Sequence, residues 1–363
     1  MTHKKFQSIQ ALRGVAILLV LTRHLFVMEG HFGHGERLLP ELCKAGDGGV
    51  DLFFAISGFI MVMIGKGQFA KPGVVGSFLY KRAARIYPLY WLYSLVILLA
   101  FLASPDWVPA LKRGNVDFFA SFLLLPQLIL PLLGQGWTLS YEAYFYLMFA
   151  LALLLPERRL PRFLLMWGLG VAAGYNLYMK NGALVDSAWL KLLTDPVTIE
   201  FVLGACVASV LQRGWRQGGW LCLIAGSLLL PASSLFFDPL QIEGLRFFCF
   251  GLPALLILYG AVSLEARARV RFPHWLQAIG DASYSIYLSH ILVITAVGRA
   301  WNLIGRPGLW DNAMAIAAMT AAALGCGMAS YRFIEQPMLR AFHAGSTRRK
   351  VEPYAEDVGI VTK

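Results

Sequence analysis

Arg13 and His24 stand eleven positions apart inside one apolar run, residues 9–27. Ionisable groups at membrane depth are costly and normally face a protein interior or a wet cavity, so both are candidates for chemistry. Eleven positions make about three helical turns, which puts both side chains on one face about 16 Å apart along the axis. Such a stripe offers two chemical stations, one toward each side of a bilayer.

Other polar residues recur at similar depth. At about 1.5 Å per residue, His24 and His290 lie about 22 and 21 Å from the inner ends of their apolar segments, and Glu142 about 8 Å below the outer end of its own. Asp51 is shallower on the same side. Four titratable groups are therefore expected to converge on the outer half. An imidazole beside a carboxylate is held in one tautomer and gains base strength, so it can take a proton from an attacking hydroxyl. His24 reads as that base, with Glu142 or Asp51 as its orienting partner. Plainer roles stay open: a core histidine bonded to a serine for His24, an interhelical hydrogen bond for His290, and a helix-start acid for Asp51. Glu142, beside Trp137 and Tyr141, needs a partner in lipid. Ser283, Tyr287 and His290 share one helical face.

The inner half carries different chemistry. Arg82 and Arg85 are three apart and share a helix face, and Tyr87-Pro88 follows. Guanidinium forks match phosphate oxygens in bidentate fashion, so the pair suits a phosphorylated ligand. Ordinary basic flanking of a spanning helix explains such residues as well. Arg13, a turn deeper, is harder to explain that way.

The elements that must hold these groups are membrane helices. The 363 residues are 58% hydrophobic and 15% charged, against about 25% charged in soluble domains. Apolar segments of about 20 residues recur, at 9–28, 48–65, 86–104, 136–155, 162–179, 197–213, 219–236, 244–264, 276–297 and 312–334. The fold class is thus an all-α polytopic membrane protein of about ten spans. Pro126 and Pro131 break the further run 118–133, which reads as a re-entrant or interfacial segment on the outer side. With both termini cytoplasmic, Lys66, Lys71, Lys81, Arg158, Arg159, Arg213 and Arg267 fall in inner loops. That bias accounts for the net charge of +11 without nucleic acid. The first run is read as a retained helix, since Arg13, Arg23 and His24 interrupt it and no clean cleavage site follows. Five cysteines form no disulfide framework and no metal spacing. Residues 1–340 make one membrane domain, and 341–363 a charged cytoplasmic tail expected to be disordered.

Six segments then resemble, in order, the acyltransferase 3 family of membrane acyltransferases. They are Ile9-Gln-Ala-Leu-Arg-Gly-Val-Ala16 with His24, Gly49-Val-Asp-Leu-Phe-Phe-Ala-Ile-Ser-Gly-Phe59, Lys81-Arg-Ala-Ala-Arg-Ile-Tyr-Pro88, Trp137-Thr-Leu-Ser-Tyr-Glu142, Gly280-Asp-Ala-Ser-Tyr-Ser-Ile-Tyr-Leu-Ser-His290 and Phe333-Ile-Glu-Gln-Pro337. Within the family the chain is most similar to bacterial exopolysaccharide O-acetyltransferases. Thr138, Tyr141 and Ser289 replace commoner residues. The resemblance implies a multi-pass protein of the bacterial inner membrane. It further implies an acyl-CoA donor, acetyl-CoA in the simplest case, and a glycan or lipid-linked sugar acceptor. No tightly bound cofactor or metal is expected, and polysaccharide-assembly proteins are possible partners. On this pattern His24 matches the catalytic histidine, supported by Glu142 and Asp51. Arg13, Arg82, Arg85 and Tyr87 serve the CoA side, and Trp137, Ser140, Tyr287 and His290 the acceptor. The C-terminal hydrolase-like domain of many relatives is expected to be missing.

The expected reaction is direct transfer, with an acyl-histidine intermediate as a variant. The competing class is a transporter or flippase using the buried ionisable residues as a proton relay. No internal symmetry of the kind expected for transporter repeats is seen.

Overall fold

A computed structural model describes residues 6–33, 37–108, 116–180, 186–236, 245–306 and 308–347. Among the described residues every regular element is helical, with no strand. Seven helical stretches are long and apolar enough to cross a membrane by length and composition. Of the expected tail 341–363, residues 341–347 continue a helix that begins at Gln336, contrary to the expected disorder, and the remainder lies outside the described residues.

In chain order the helices are α1 (Gln7–Phe32), α2 (Gly48–Gly65), α3 (Val74–Ala103), α4 (Phe118–Leu123), α5 (Gly136–Leu153), α6 (Leu160–Lys180), α7 (Ala188–Thr194), α8 (Val197–Gln212), α9 (Gly219–Phe236), α10 (Leu252–Ala266), α11 (His274–Asp281), α12 (Ser283–Ile304), α13 (Leu309–Ser330) and α14 (Gln336–Thr347). Among the described residues two compact units emerge, one within 6–56, 207–337 and 345–347 and the other within 57–206 and 338–344. The division falls inside α2 and α8.

Nearly every expected apolar segment is a helix at the expected place, with two departures. The third begins at Val74, not near residue 86, so Arg82 and Arg85 ride on α3 itself and Pro88 lies within it. Proline there removes one i→i−4 hydrogen bond, a kink-forming loss that the surrounding packing tolerates. The segment 276–297 is two helices, broken at Ala282. His290 is therefore seven residues into α12, about 10 Å along its axis and not 21 Å.

The first unit is organised around α1, which packs against α11 and α12. Two glycines permit the tightest of these contacts. A Cβ on Gly14 would strike the Leu276 carbonyl, and one on Gly280 the Gln10 carbonyl. Beyond them Leu21, Leu25, Ile294, Ala315, Met319 and Ala323 form a buried apolar cluster. Glu265 anchors the start of α1, accepting from the backbone N–H groups of Gln7 (2.8 Å) and Ser8 (2.9 Å) and from the Ser8 hydroxyl. These are first-turn donors that the helix itself leaves without partners.

The second unit has an aromatic core. Phe145 stacks on Phe201 with centroids 4.4 Å apart, flanked by Trp167 and Tyr144. Gly58 lies against the backbone of Phe201, where a side chain would collide. Outward faces are apolar too, with Leu99, Leu102, Leu147, Leu151, Leu165 and Met166 exposed. A surface of that kind is one that lipid covers.

Candidate active site

In the first unit two histidines meet. The rings of His24 on α1 and His290 on α12 lie edge to face, centroids 4.8 Å apart at 74°. His24 Nδ1 is 2.8 Å from the Val20 carbonyl and 3.4 Å from His290 Nε2. His290 Nδ1 is 2.6 Å from the Tyr287 carbonyl and 3.2 Å from that of Ile286. A carbonyl only accepts, so both Nδ1 atoms carry the proton. His290 Nε2 then has a lone pair to receive a share of the His24 Nδ1–H. The remaining nitrogen, His24 Nε2, is left with its own lone pair as a base. His290 is fully buried and His24 partly so. Tyr287 lies beside His290 at 5.8 Å and meets Phe53 edge to face at 6.2 Å.

Asp51 is fully buried, and its two oxygens accept from Arg246, 2.7 and 3.2 Å away. A second pair, Arg23 Nε to Asp47 at 3.0 Å, lies nearby in sequence. Arg13 is 9% exposed, and together with Asp281 and Glu335 it is within electrostatic reach of Tyr331. Glu335 in turn accepts from Ser285 at 2.5 Å. The carboxylate partner expected for His24 is thus replaced, in this unit, by a backbone carbonyl and a second imidazole.

The second unit groups the other expected residues. Arg82 is buried, with its guanidinium over the rings of Phe78 (5.7 Å) and Tyr146 (5.6 Å). Tyr146 donates to Glu142, and Ser57 donates to the same carboxylate oxygen at 3.3 Å. Glu142 therefore has the partners that lipid demands. Tyr87 is engaged elsewhere. Its hydroxyl donates to Leu123 O at 3.1 Å, while Tyr90 donates to Ser121 O at 2.7 Å and the Trp91 indole to Phe122 O at 2.8 Å. These donors, at i, i+3 and i+4 on α3, satisfy the carbonyls that the short α4 leaves open at its C-terminus. Trp137 and Tyr141 are edge to face at 5.9 Å, and Ser140 donates to the Gly136 carbonyl at 3.3 Å.

A family profile described as an acyltransferase domain matches residues 6–332. The chain belongs to the acyltransferase 3 family. The profile spans the first five of the six segments singled out above and ends one residue before the sixth, which begins at Phe333. This acyltransferase is 36% identical over 304 residues to the exopolysaccharide production protein ExoZ of Rhizobium meliloti (strain 1021), covering 81% of this chain and 90% of that protein. It is 28% identical over 375 residues to the acyltransferase MdmB of Streptomyces mycarofaciens, covering 93% and 92%. It is also 25% identical to the peptidoglycan O-acetyltransferase OatA of Listeria monocytogenes, over 93% of this chain and 56% of that protein. No solved structure matches.

Arg246 is not among the sequence candidates, although a lone arginine entering an apolar run at Phe247 is itself a signal. His290, a sequence candidate on the acceptor side, has its ring against that of His24.

Proposed function

We propose that this protein is a multi-pass O-acyltransferase of the bacterial inner membrane, with ten spans and both termini cytoplasmic. It moves an acyl group, acetyl in the simplest case, from cytoplasmic acyl-CoA to a sugar hydroxyl of an exopolysaccharide or its lipid-linked precursor. The likeness to ExoZ, an exopolysaccharide production protein, at 36% identity supports this substrate class.

The observation that carries the chemistry is the 2.8 Å contact of His24 Nδ1 with the Val20 carbonyl, which assigns the proton to Nδ1 and leaves Nε2 unprotonated. Nε2 takes the proton of the acceptor hydroxyl as its oxygen attacks the thioester carbonyl carbon. The C–S bond breaks, and the CoA thiolate leaves with the proton returned by the imidazolium. The Val20 carbonyl and His290 stabilise that imidazolium through Nδ1–H. Arg82 and Arg85 receive the CoA phosphates, with Tyr87 holding the local backbone. Arg13, about 16 Å from His24 along α1, lines the path of the pantetheine arm. Asp51 shapes the field around the reacting groups and Tyr287 contacts the acceptor, while Glu142, Trp137 and Ser140 are the second unit's candidates for the same reaction.

The test uses purified protein, labelled acetyl-CoA and extracted glycan. Wild type transfers the label, and His24→Ala slows transfer by about 10²–10⁴-fold, the usual contribution of a general base. Undiminished transfer by His24→Ala removes histidine from this role.

A further inference from the structure

The reaction proposed above leaves one charge without a receiver. As the acceptor oxygen adds to the thioester carbonyl carbon, the carbonyl oxygen turns negative. Donors fixed in advance around such an oxygen usually supply the largest share of acyl-transfer catalysis. His24 has none to offer. Its Nδ1–H is held by the Val20 carbonyl at 2.8 Å, and its Nε2 takes the acceptor's proton. The donor must come from another side chain of the first unit.

The arginines of that unit around α1 are not equivalent. Arg13 lies about 16 Å from His24 along the helix. Arg246 spends Nε and one η nitrogen on the buried Asp51, at 3.2 and 2.7 Å. Arg37 is exposed and pairs with Glu41 at 3.8 Å. Arg23 directly precedes His24, and its charge and that of Asp47 are both felt at the His24 ring.

Arg23 is also held in place. The short 3₁₀ turn Glu41–Asp47 packs on α1. A Cβ on Gly46 would lie 2.3 Å from the Leu19 carbonyl oxygen and 2.8 Å from Arg23 Cβ, so only glycine lets the turn come this close. That approach sets Asp47 beside Arg23, where it accepts from Nε at 3.0 Å. The guanidinium carbon sits 5.9 Å from the centroid of the buried Phe26 ring. An ion pair built for stability alone would use the two-pronged fork that matches a carboxylate. Here the carboxylate takes Nε, so the η N–H groups are not spent on it. Both side chains are partly exposed, as a group that meets substrate must be. His24 turns to α12 and Arg23 to the 3₁₀ turn, so the two flank the strip of α1 between those elements.

We infer that the Arg23 guanidinium is the donor that receives the acyl carbonyl oxygen as it turns negative, with Asp47 as the positioning residue behind it. The inference rests on the acyltransferase reading and adds a catalytic residue to it. As the acceptor oxygen bonds to the carbonyl carbon, its proton passes to His24 Nε2. The C=O π pair moves onto oxygen, where the η N–H groups hold it. The pair then returns to re-form C=O, the C–S bond breaks, and the thiolate leaves with the proton from the imidazolium.

The test follows transfer of labelled acetyl from acetyl-CoA to extracted glycan by purified full-length protein, with kcat and both KM values measured. Arg23→Met keeps the apolar stem and removes the donors. Its kcat falls by about 10²–10³-fold, the usual loss of one oxyanion donor, with both KM values unchanged. Because Arg23→Met strands the Asp47 charge, a second variant separates rate from fold. Arg23→Met combined with Asp47→Leu removes the pair whole, so it melts like wild type and keeps the low kcat. Asp47→Asn, whose amide oxygen still accepts from Nε, loses less rate than Asp47→Ala, again in kcat and not in KM. A wild-type kcat in Arg23→Met or in the double variant overturns the inference and leaves the acyltransferase reading standing, as does a loss carried by KM alone. A wild type that transfers no label overturns both.

Discussion

His290 Nε2 stands 3.4 Å from His24 Nδ1, and His24 Nδ1 stands 2.8 Å from its own i−4 carbonyl. The second contact selects the tautomer and the first steadies the ring across two helices. His290 is thus a positioning residue in the proposed reaction. Its replacement by Leu removes one acceptor from the imidazolium, and a net hydrogen bond of about 1–1.5 kcal/mol corresponds to about tenfold in rate. Steady-state kinetics should show kcat down about tenfold in His290→Leu with the KM for acyl-CoA unchanged. His290→Gln, whose amide oxygen can still accept, should recover most of the rate. A loss confined to thermal stability, with kcat intact, rules the positioning role out.

Asp51 and Arg246 make a prediction of a different kind. The carboxylate is fully buried and both of its oxygens are used by one guanidinium. Removing one partner of such a pair leaves a stranded charge and costs about 3–5 kcal/mol, whereas replacing both with apolar groups is often nearly neutral. Asp51→Leu and Arg246→Met should each lower the unfolding midpoint sharply. The double variant should be more stable than the sum of the two losses, as a double-mutant cycle measures. Strict additivity would show that the pair is not coupled.

Much of this arrangement was legible in the sequence, and the failures have physical causes. The Arg13–His24 stripe was visible because charges interrupt an otherwise continuous apolar run. Proline at 126 and 131 correctly separated 118–133 from the full spans, since neither residue continues a helix. The start of α3 was misplaced because Lys81, Arg82 and Arg85 look like the polar flank of a span, although the backbone remains helical through them. The break at Ala282 falls in Gly280-Asp281-Ala282-Ser283, a glycine and an acid at the end of one helix and a serine at the start of the next, inside a segment apolar enough overall to read as one span. The partners of Asp51 and His24 lie 195 and 266 residues away. Depth along each segment sets His24 and His290 at one level, but pattern within a segment does not report which groups pair there, as Asp51 does with Arg246.

Gly14 and Gly280 give a direct test of the α1–α11 contact. Each sits where an added methyl would meet a backbone carbonyl of the other helix. A carbonyl cannot rotate out of the way as a side chain can, so the helices must separate. Overpacking of this kind costs about 1–3 kcal/mol. Gly280→Ala should lower the melting temperature and, by displacing α1, reduce transfer in the folded fraction as well. Gly76→Ala, at a glycine with open space around it, should leave melting unchanged. A wild-type melting curve for Gly280→Ala would show that the contact is looser than described.

Arg82 separates charge from shape. Its guanidinium lies over both Phe78 and Tyr146 at under 6 Å, and Tyr146 in turn donates to Glu142. A planar guanidinium can stack on these rings and still present a fork of N–H donors to a phosphate, whereas a lysine ammonium is a compact point charge that does neither in the same place. If Arg82 reads CoA phosphates, Arg82→Lys keeps the charge and loses the bidentate geometry. The KM for acetyl-CoA should then rise by about tenfold or more, the scale of one charged hydrogen bond. The penalty should shrink when the donor is acetyl-pantetheine, which lacks the nucleotide phosphates, because the two enzymes then differ only in packing. An equal penalty for both donors would mean that Arg82 supports the Tyr146–Glu142 pair and never meets the nucleotide.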